Sequence, residues 1–384
     1  MRKVLIIIPS FQLGGTNTSL NFFLNQIINC LQEEIDLDIY ALDPRGPNAE
    51  VLSKFANLIN LPQNDTTIQS HNSLLSIKKF LSPLRLFFSK IFKYDLALIV
   101  LKRIAKKLEN RYDTVVAYQE GQCTKLISLF KDDSFKVAWV HCEFSSLLNF
   151  SKGNLNCKPY GKVDRIVCVS KAATDDFIVC LPQYKEKVVT IYNQIDSVLI
   201  SNKAKEFMPY LLDKSDLKIV SVGRIDLIKR FSHIPKILAS IKSSKTISWY
   251  IIGGIAHESE YKELTNNIEE YNMSSKIKLL GPLKNPYPYI KNADLLVCLS
   301  SSESFSYVIT ESKILGTPVV TTDYPCSKEF LISGKEGEIC KFESMSHTLS
   351  SIIEDGKLQY YRTQLQNFKY SPTVNKKTLN KIGF

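Results

Sequence analysis

The amino-acid sequence predicts an α/β chain of two consecutive domains, each a doubly wound parallel sheet, with a cleft between them. Three observations predict it. Short apolar runs alternate with longer amphipathic stretches from one end to the other, the pattern of strands joined by helical crossovers. The alternation pauses between Asp196 and Asp216, a polar stretch with lysines and a proline, and then restarts. The length, 384 residues, exceeds one ordinary domain and fits two of moderate size.

The first strand is expected at Val4–Ile8. Met1-Arg2-Lys3 followed by apolar residues resembles the start of a signal peptide, but the run is only five residues long before Pro9 and no small-residue cleavage site follows. A buried strand explains it better. Further strands are expected at Leu37–Leu42, Thr114–Tyr118, Lys136–Val140, Arg165–Val169 and Val188–Tyr192, with helical patterns such as Thr18–Leu31 and Gly121–Phe130 between them. After the pause come Lys218–Val222, Ser248–Ile252, Lys276–Leu280, Asp294–Leu299 and Pro318–Thr321. The expected organisation is an N-terminal domain over residues 1–200, a C-terminal domain over 201–370 and a loose basic tail over 371–384. Ligands in such sheets bind beyond the carboxyl ends of the strands.

Composition narrows the classes. Nine cysteines lie singly, without a C-x-x-C pair or a His/Cys cluster at metal-ligand spacing, which reads as reduced thiols in a cytoplasmic protein with no zinc. The apolar run Leu96–Leu101 is far short of the ~20 residues a spanning helix needs. The net charge of +11 points to nucleic acid, anionic lipid or a phosphorylated substrate. No zinc finger, RNP-like aromatic signature or Lys/Arg tail supports nucleic acid. Much of the basic charge lies between Lys78 and Arg111, where Leu81, Leu84, Phe88, Ile91 and Phe92 fall near helical spacing among lysines. Two readings stand open there: a helix lying on an anionic membrane surface, or a core-facing amphipathic helix with solvated lysines.

Four places carry candidate chemistry. In Val222-Gly223-Arg224-Ile225-Asp226-Leu227-Ile228-Lys229 a strand ends at a glycine and two cations follow five residues apart. Glycine permits a tight turn, and Arg and Lys from one loop can grip a diphosphate from two sides; a solvated turn is the commoner meaning of such a pair. Ser300 to Ser306 contains Glu303, Ser304 and Phe305 and runs into a helix that holds Glu311. The serines are good N-caps, and that helix start is an anion site. Eight residues of helix span ~12 Å, against about 5 Å between the carboxyl groups of a retaining glycosidase. Taken alone, Glu303 reads as a helix-start carboxylate and Glu311 as a solvent-facing residue. Ile251-Ile252-Gly253-Gly254 lets backbone approach a flat ligand, or is a plain turn. Gly14-Gly15-Thr16 follows the first strand as a phosphate-facing loop, without the G-x-G-x-x-G fingerprint of a dinucleotide oxidoreductase.

Taken in order, Gly14-Gly15, Trp139-Val140-His141, Val169-Ser170-Lys171, Tyr192-Asn193-Gln194-Ile195-Asp196, Gly223-Arg224 with Lys229, Glu303 with Glu311, and Leu315-Gly316-Thr317-Pro318-Val319-Val320 form a set. Over residues 4 to 340 this set resembles the retaining glycosyltransferase family four, whose members have two Rossmann-like domains facing across a cleft, the GT-B architecture. The surroundings of His141 and the run Tyr118-Gln119-Glu120-Gly121 are similar to members that build bacterial surface polysaccharides such as capsule.

The resemblance implies transfer of a hexose or N-acetylhexosamine from a UDP- or GDP-sugar to a glycan or lipid-linked acceptor at the inner face of the cell membrane. No metal and no cofactor is expected, since the nucleotide sugar is a substrate, and nucleic acid is not an expected partner. Arg224 and Lys229 are implied to hold the donor diphosphate and stabilise the departing nucleotide. Glu303 is implied to contact donor sugar hydroxyls and Glu311 the ribose hydroxyls, beside Gly223, Gly253, Gly254, Ser304, Phe305 and Ser306. Gly14 and Gly15 let a main-chain N–H reach the phosphates, and His141 orients the transferring sugar. Glu120 is an acceptor-side candidate. A donor phosphate oxygen is implied to help deprotonate the acceptor on the same face, so no protein nucleophile is expected. The chain departs from the family at Ser304 and Ser306, where glycine is common, at Ser312, where alanine is common, and at Ile228, where an acidic residue is usual; these leave donor identity open. The competing readings are a non-catalytic nucleotide-sugar-binding protein on the same scaffold, or a sugar-phosphate-handling enzyme such as an epimerase or phosphorylase.

Overall fold

The computed structural model describes every residue except 13, 32–33, 62–96, 154, 210–214 and 371–373. It contains two parallel sheets in two compact units. The first comprises Met1–Val169, Ala173–Gln194 and Thr373–Phe384, and the second Ser170–Ala172 and Ile195–Pro372.

The first unit holds β1 (Arg2–Ser10), β2 (Ile35–Asp43), β3 (Asn57–Leu58), β4 (Thr114–Ala117), β5 (Phe135–Val140), β6 (Arg165–Cys168) and β7 (Val188–Thr190). They pair in the order β3-β2-β1-β4-β5-β6-β7, all parallel. Strands covered on both faces must be apolar along their length, and Val4 to Ile8 of β1 are fully buried. The helix Gly15–Leu31 lays Leu20, Phe23, Leu24, Ile27 and Leu31 against the sheet at helical spacing.

The second unit holds β8 (Leu217–Val222), β9 (Ile247–Ile252), β10 (Ile277–Gly281), β11 (Leu295–Cys298), β12 (Val319–Thr322) and β13 (Gly337–Cys340) in the order β10-β9-β8-β11-β12-β13. Its core packs Ile219, Trp249, Ile251, Leu264, Leu295, Val320, Leu349 and Ile352. Both sheets start in the middle, run outward to one edge, then return and run to the other. This places a topological switch point between β1 and β4 and another between β8 and β11.

Every expected strand is present to within a residue or two. Two strands were not expected. β3 is two residues long, and β13 is a four-residue edge strand opening on Gly337, among charged residues; neither carries a run long enough to signal itself. The polar stretch from Asp196 is not a bare linker. Asp196 caps a helix, Ser197–Lys203, by accepting Leu199 N–H at 2.8 Å, and this helix belongs to the second unit.

The basic terminal stretch, expected as a loose tail, is folded into the first unit. Asn375 caps the helix Lys376–Asn380 through Thr378 N–H at 2.9 Å. Leu379, Ile382 and Phe384 are buried, and the Phe384 ring meets Phe23 edge-on at 5.8 Å. The Gly383 carbonyl accepts the Thr114 hydroxyl, and a Cβ at Gly383 would lie 2.6 Å from the Phe135 ring. Three apolar residues among lysines are enough to turn a charged tail into a packed element.

The run Leu81 to Phe92 lies outside the described residues. Further along the same basic stretch, residues 97–108 are helical. Val100, Leu101, Ile104, Ala105 and Leu108 there pack into the core while Lys102, Arg103 and Lys106 face solvent. That portion is a core-facing helix. Among the described residues no helix is long and apolar enough to cross a membrane.

Leu379→Ala should lower the free energy of unfolding by about 2–5 kcal/mol, read as an earlier transition in urea. Lys381→Ala, at an exposed position, should leave the transition in place. Equal midpoints for the two variants would contradict the packing of this segment.

Candidate active site

The loops that leave β8 and β11 emerge at the switch point of the second sheet. The first is shaped by main chain. Gly223 N–H donates to the Ile252 carbonyl at 2.9 Å and Ile225 N–H to Gly254 at 2.9 Å, so the ends of β8 and β9 zip together. The Gly223 carbonyl then lies directly over Gly253, where a Cβ would be 1.7 Å away. Only glycine fits at Gly253, whose φ is +159°. The close approach expected for a flat ligand is thus made by the protein's own backbone at this position. Gly254 makes only ordinary contact with Pro282.

Asp226, buried in the same loop, accepts Lys229 N–H at 2.9 Å and pairs with Arg224 at 3.5 Å. This turns Lys229 back toward the sheet and leaves the Arg224 side chain 76% exposed. The Lys229 ammonium meets the Glu303 carboxylate of the loop after β11, and both side chains are more than four-fifths buried. Glu303 also accepts the Ser300 hydroxyl at 2.7 Å. Burial alone would lower the Lys229 pKa; the Glu303 carboxylate outweighs it and holds the ammonium above its ordinary value. The two cations expected to flank a diphosphate are therefore unlike. One is locked in an ion pair and the other reaches into solvent.

The Glu303 loop is fastened by the last residue of β12 and the segment that follows it. Thr322 donates its hydroxyl to Ser300 O, Cys326 its thiol to Glu303 O at 2.8 Å, and the Tyr324 and Ser306 hydroxyls bond at 2.5 Å. Ser306, expected to cap the helix Tyr307–Ile314 through its side chain, does not; a buried tyrosine hydroxyl needs a partner and takes it. Phe305 packs its ring on Phe330 and Tyr307 at 4.6 and 4.7 Å, so its side chain is core. Ser304 sits half-buried beside Glu303.

Glu311, the fifth residue of that helix, is half-buried instead of solvent-facing. Its Oε1 accepts the Tyr287 hydroxyl at 3.2 Å. Burial raises its pKa from 4.5 to about 7, against the smaller opposing effects of Tyr287 and Lys229.

In the first unit, Gly14 and Gly15 follow β1 and open the helix Gly15–Leu31. Neither has a positive φ, and a Cβ on either would meet nothing. The protein's own packing does not require glycine there. Asn17 closes the loop by donating to Ser10 O at 2.9 Å. Glu120, past the end of β4, accepts the His141 main-chain N–H at 3.1 Å, which brings these two expected residues together. The His141 ring lies 4.9 Å from Tyr118. Burial drives its pKa down to about 3, opposed by a hydrogen bond to the Tyr118 main chain, so the imidazole is neutral near pH 7. The neighbouring Cys142 thiol is pushed up by burial and by Glu120, and stays protonated. Beneath lies a buried relay in which Ser19 Oγ donates to Asn193 Oδ1 at 2.7 Å and meets the Tyr118 hydroxyl at 2.9 Å.

Sequence reasoning did not single out Asp226, Ser300, Tyr287 or Tyr324 as site residues. Asp226 and Ser300 lay inside the quoted motifs, whereas Tyr287 and Tyr324 had no signal of their own. Among the described residues, no three His, Cys, Asp or Glu side chains are grouped as a metal would need.

A carboxyl whose folded pKa is raised favours folding while protonated, and this contribution is lost as pH rises through the folded value. The free energy of unfolding of the wild type relative to Glu311→Gln should therefore fall by on the order of 2–3 kcal/mol between about pH 5 and pH 8. The difference cancels the opposite, acid-side effect of His141, which both proteins share. Parallel pH profiles would contradict the burial of an ionisable Glu311.

Residues 202–367 match the family described as glycosyl transferases group 1. The chain is 30% identical over 253 residues to the N-acetylgalactosamine-N,N'-diacetylbacillosaminyl-diphospho-undecaprenol 4-alpha-N-acetylgalactosaminyltransferase of Campylobacter jejuni, covering 65% of this chain and 66% of that protein. It is 28% identical to the O-antigen biosynthesis glycosyltransferase WclY of Escherichia coli, over 46% of this chain and 48% of the other. The chain thus spans just under two thirds of the first relative and about half of the second. Among solved structures, Anabaena HepE in complex with UDP and glucose superposes with a TM-score of 0.70 at 18% identity, over 96% of this chain and 93% of the other. The apo form of the lipopolysaccharide outer core galactosyltransferase WaaB gives 0.65 at 13% identity, over 99% and 98%. Likeness at these identities shows the fold, two doubly wound domains of the GT-B type. Through residues 202–367, somewhat under half of its length, the chain is similar to the glycosyl transferases group 1 family.

Proposed function

We propose that the protein is a retaining, metal-independent glycosyltransferase. It moves a hexose or N-acetylhexosamine from a UDP- or GDP-sugar to a glycan or lipid-linked acceptor, in the synthesis of a bacterial surface polysaccharide. The observation that carries this reading is the Lys229–Glu303 pair at the β8/β11 switch point, with Arg224 exposed on the same loop and Glu311 within the field of Lys229.

A departing nucleoside diphosphate carries concentrated negative charge. Lys229 is a permanent cation in a mostly dry setting, where its charge acts most strongly. Arg224 is an exposed fork that can add bidentate bonds from the rim. Glu303, already holding Lys229 and Ser300, presents a fixed carboxylate to hydroxyls of a donor sugar. Glu311 is assigned to the ribose hydroxyls. Gly14 and Gly15, free of any packing need for glycine, suit a loop that a phosphate approaches. The His141 main-chain N–H is committed to Glu120 and its buried ring is neutral near pH 7, so it orients the transferring sugar without bringing a charge of its own. A protonated Cys142 accords with transfer on the same face without a protein nucleophile, a donor phosphate oxygen taking the acceptor proton.

Two relatives support the acceptor class, since one is named for action on a diphospho-undecaprenol-linked sugar and another for O-antigen biosynthesis. A lipid-linked acceptor accords with the net charge of +11 and an anionic membrane surface as partner. A cytoplasmic location at the inner face of the membrane completes the reading.

Arg224→Ala should lower transfer from the cognate nucleotide sugar to a lipid-linked acceptor by roughly 100-fold with an unchanged unfolding transition; undiminished turnover would sink the diphosphate assignment. Excess EDTA should leave turnover as it was, and its loss would overturn metal independence. Donor binding without any transfer across a panel of acceptors would favour the non-catalytic sugar-nucleotide-binding reading.

A further inference from the structure

The Glu311 carboxyl is served unequally. Its Oε1 accepts the Tyr287 hydroxyl at 3.2 Å, whereas Oε2 accepts no hydrogen bond from the described residues. Lys229, the cation that acts on Glu311, has its ammonium against Glu303. Lys313, on the same helix, is committed elsewhere, to Glu336 and the Phe330 carbonyl at 2.7 Å each. The groups that bear on Glu311 are thus the neutral donor Tyr287 and, at longer range, Lys229. A half-buried carboxylate with one oxygen fixed and one uncommitted is costly by itself, and is relieved by a ligand that donates hydrogen bonds.

Tyr287 is itself held. It opens the helix Tyr287–Asn292 between Pro286 and Pro288, and its N–H donates to Asn285 Oδ1 at 3.2 Å. Asn285 in turn donates to Lys203 O at 2.9 Å and to Glu206 at 2.8 Å. The phenol is half-buried, so its hydroxyl arrives at Glu311 from a fixed direction.

We propose that Tyr287 is a positioning residue for the donor nucleoside: by donating to Glu311 Oε1 it fixes the carboxylate so that Oε2 accepts from the vicinal hydroxyls of a ribose. This rests on the donor-site reading above. Tyr287 acts through Glu311 and touches neither the sugar being transferred nor the diphosphate. Its hydrogen bond also favours the ionised carboxylate, the form that accepts from both hydroxyls. Removing the hydroxyl therefore moves Glu311 protonation to higher pH and weakens nucleoside binding most where the carboxyl is half-titrated.

The test is calorimetric. Affinities for UDP and GDP and for their 2′,3′-dideoxy counterparts are measured between about pH 6 and pH 9 in wild type, Tyr287→Phe, Glu311→Gln and the double variant. In Tyr287→Phe the bound ribonucleotide should weaken about three- to tenfold near neutrality, its pH midpoint should move upward, and the dideoxy form should be unchanged. Against Glu311→Gln, Tyr287→Phe should add nothing. Equal weakening of ribo and dideoxy forms with an unmoved midpoint would assign Tyr287 to packing alone and overturn the proposal, as would a Tyr287→Phe protein indistinguishable from wild type. If the wild type does not distinguish ribo from dideoxy forms, or Glu311→Gln binds as wild type does, the donor-site reading itself fails and takes this inference with it.

Discussion

The candidate site depends on one ion pair, Lys229 to Glu303, made between neighbouring strands that are distant in sequence. β8 and β11 lie side by side because the chain builds outward to β10, returns past β8 and starts again on its other edge. Their loops open into the crevice this reversal creates. A buried lysine without its carboxylate would be pushed toward neutrality. Glu303 keeps Lys229 charged. Removing one partner of such a pair costs roughly 3–5 kcal/mol through the charge left behind, so the pair holds both loops as well as supplying the site's charge.

Around that pair the loops are fixed by groups that never face a ligand. Gly253 accepts the weight of the Gly223 carbonyl, and a side chain there would separate β8 from β9. Asp226 turns Lys229 inward through its main chain. Thr322, Tyr324 and Cys326, on alternate residues, reach Ser300, Ser306 and Glu303. Thr322 ends β12 and Cys326 lies in the turn that opens the helix Ser327–Phe330, so a strand end and a turn share the work. This second layer explains how a serine-rich loop with few bulky residues holds one shape.

The strands were legible because a doubly covered parallel sheet writes itself as apolar runs, and the chain obeys that rule at β1, β9 and β11. The terminal segment was not, since Leu379, Ile382 and Phe384 are outnumbered by polar and basic neighbours and only the three-dimensional packing gives them a core. Glu311 shows the same limit. On a helix of alternating character it reads as solvent-facing, and nothing local announces that Tyr287, 24 residues away, will meet it. Gly253 was read as room for a ligand, but its need comes from Gly223 on the neighbouring strand. The residues of Gly223-Arg224…Lys229 and Glu303…Glu311 were legible as a set through resemblance. Their division into a buried pair, an exposed arginine and a half-satisfied carboxylate comes from contacts across strands, which spacing does not encode.

The most direct test of the central claim is titration calorimetry of UDP and GDP against wild type and a shape-preserving Lys229→Met/Glu303→Gln double variant. The account predicts that one diphosphate binds the wild type and that the double variant, folded but without the charge pair, loses at least about tenfold in affinity. Binding of neither diphosphate by the wild type, or equal binding by both proteins, would contradict the assignment of this ion pair to a nucleotide-sugar site.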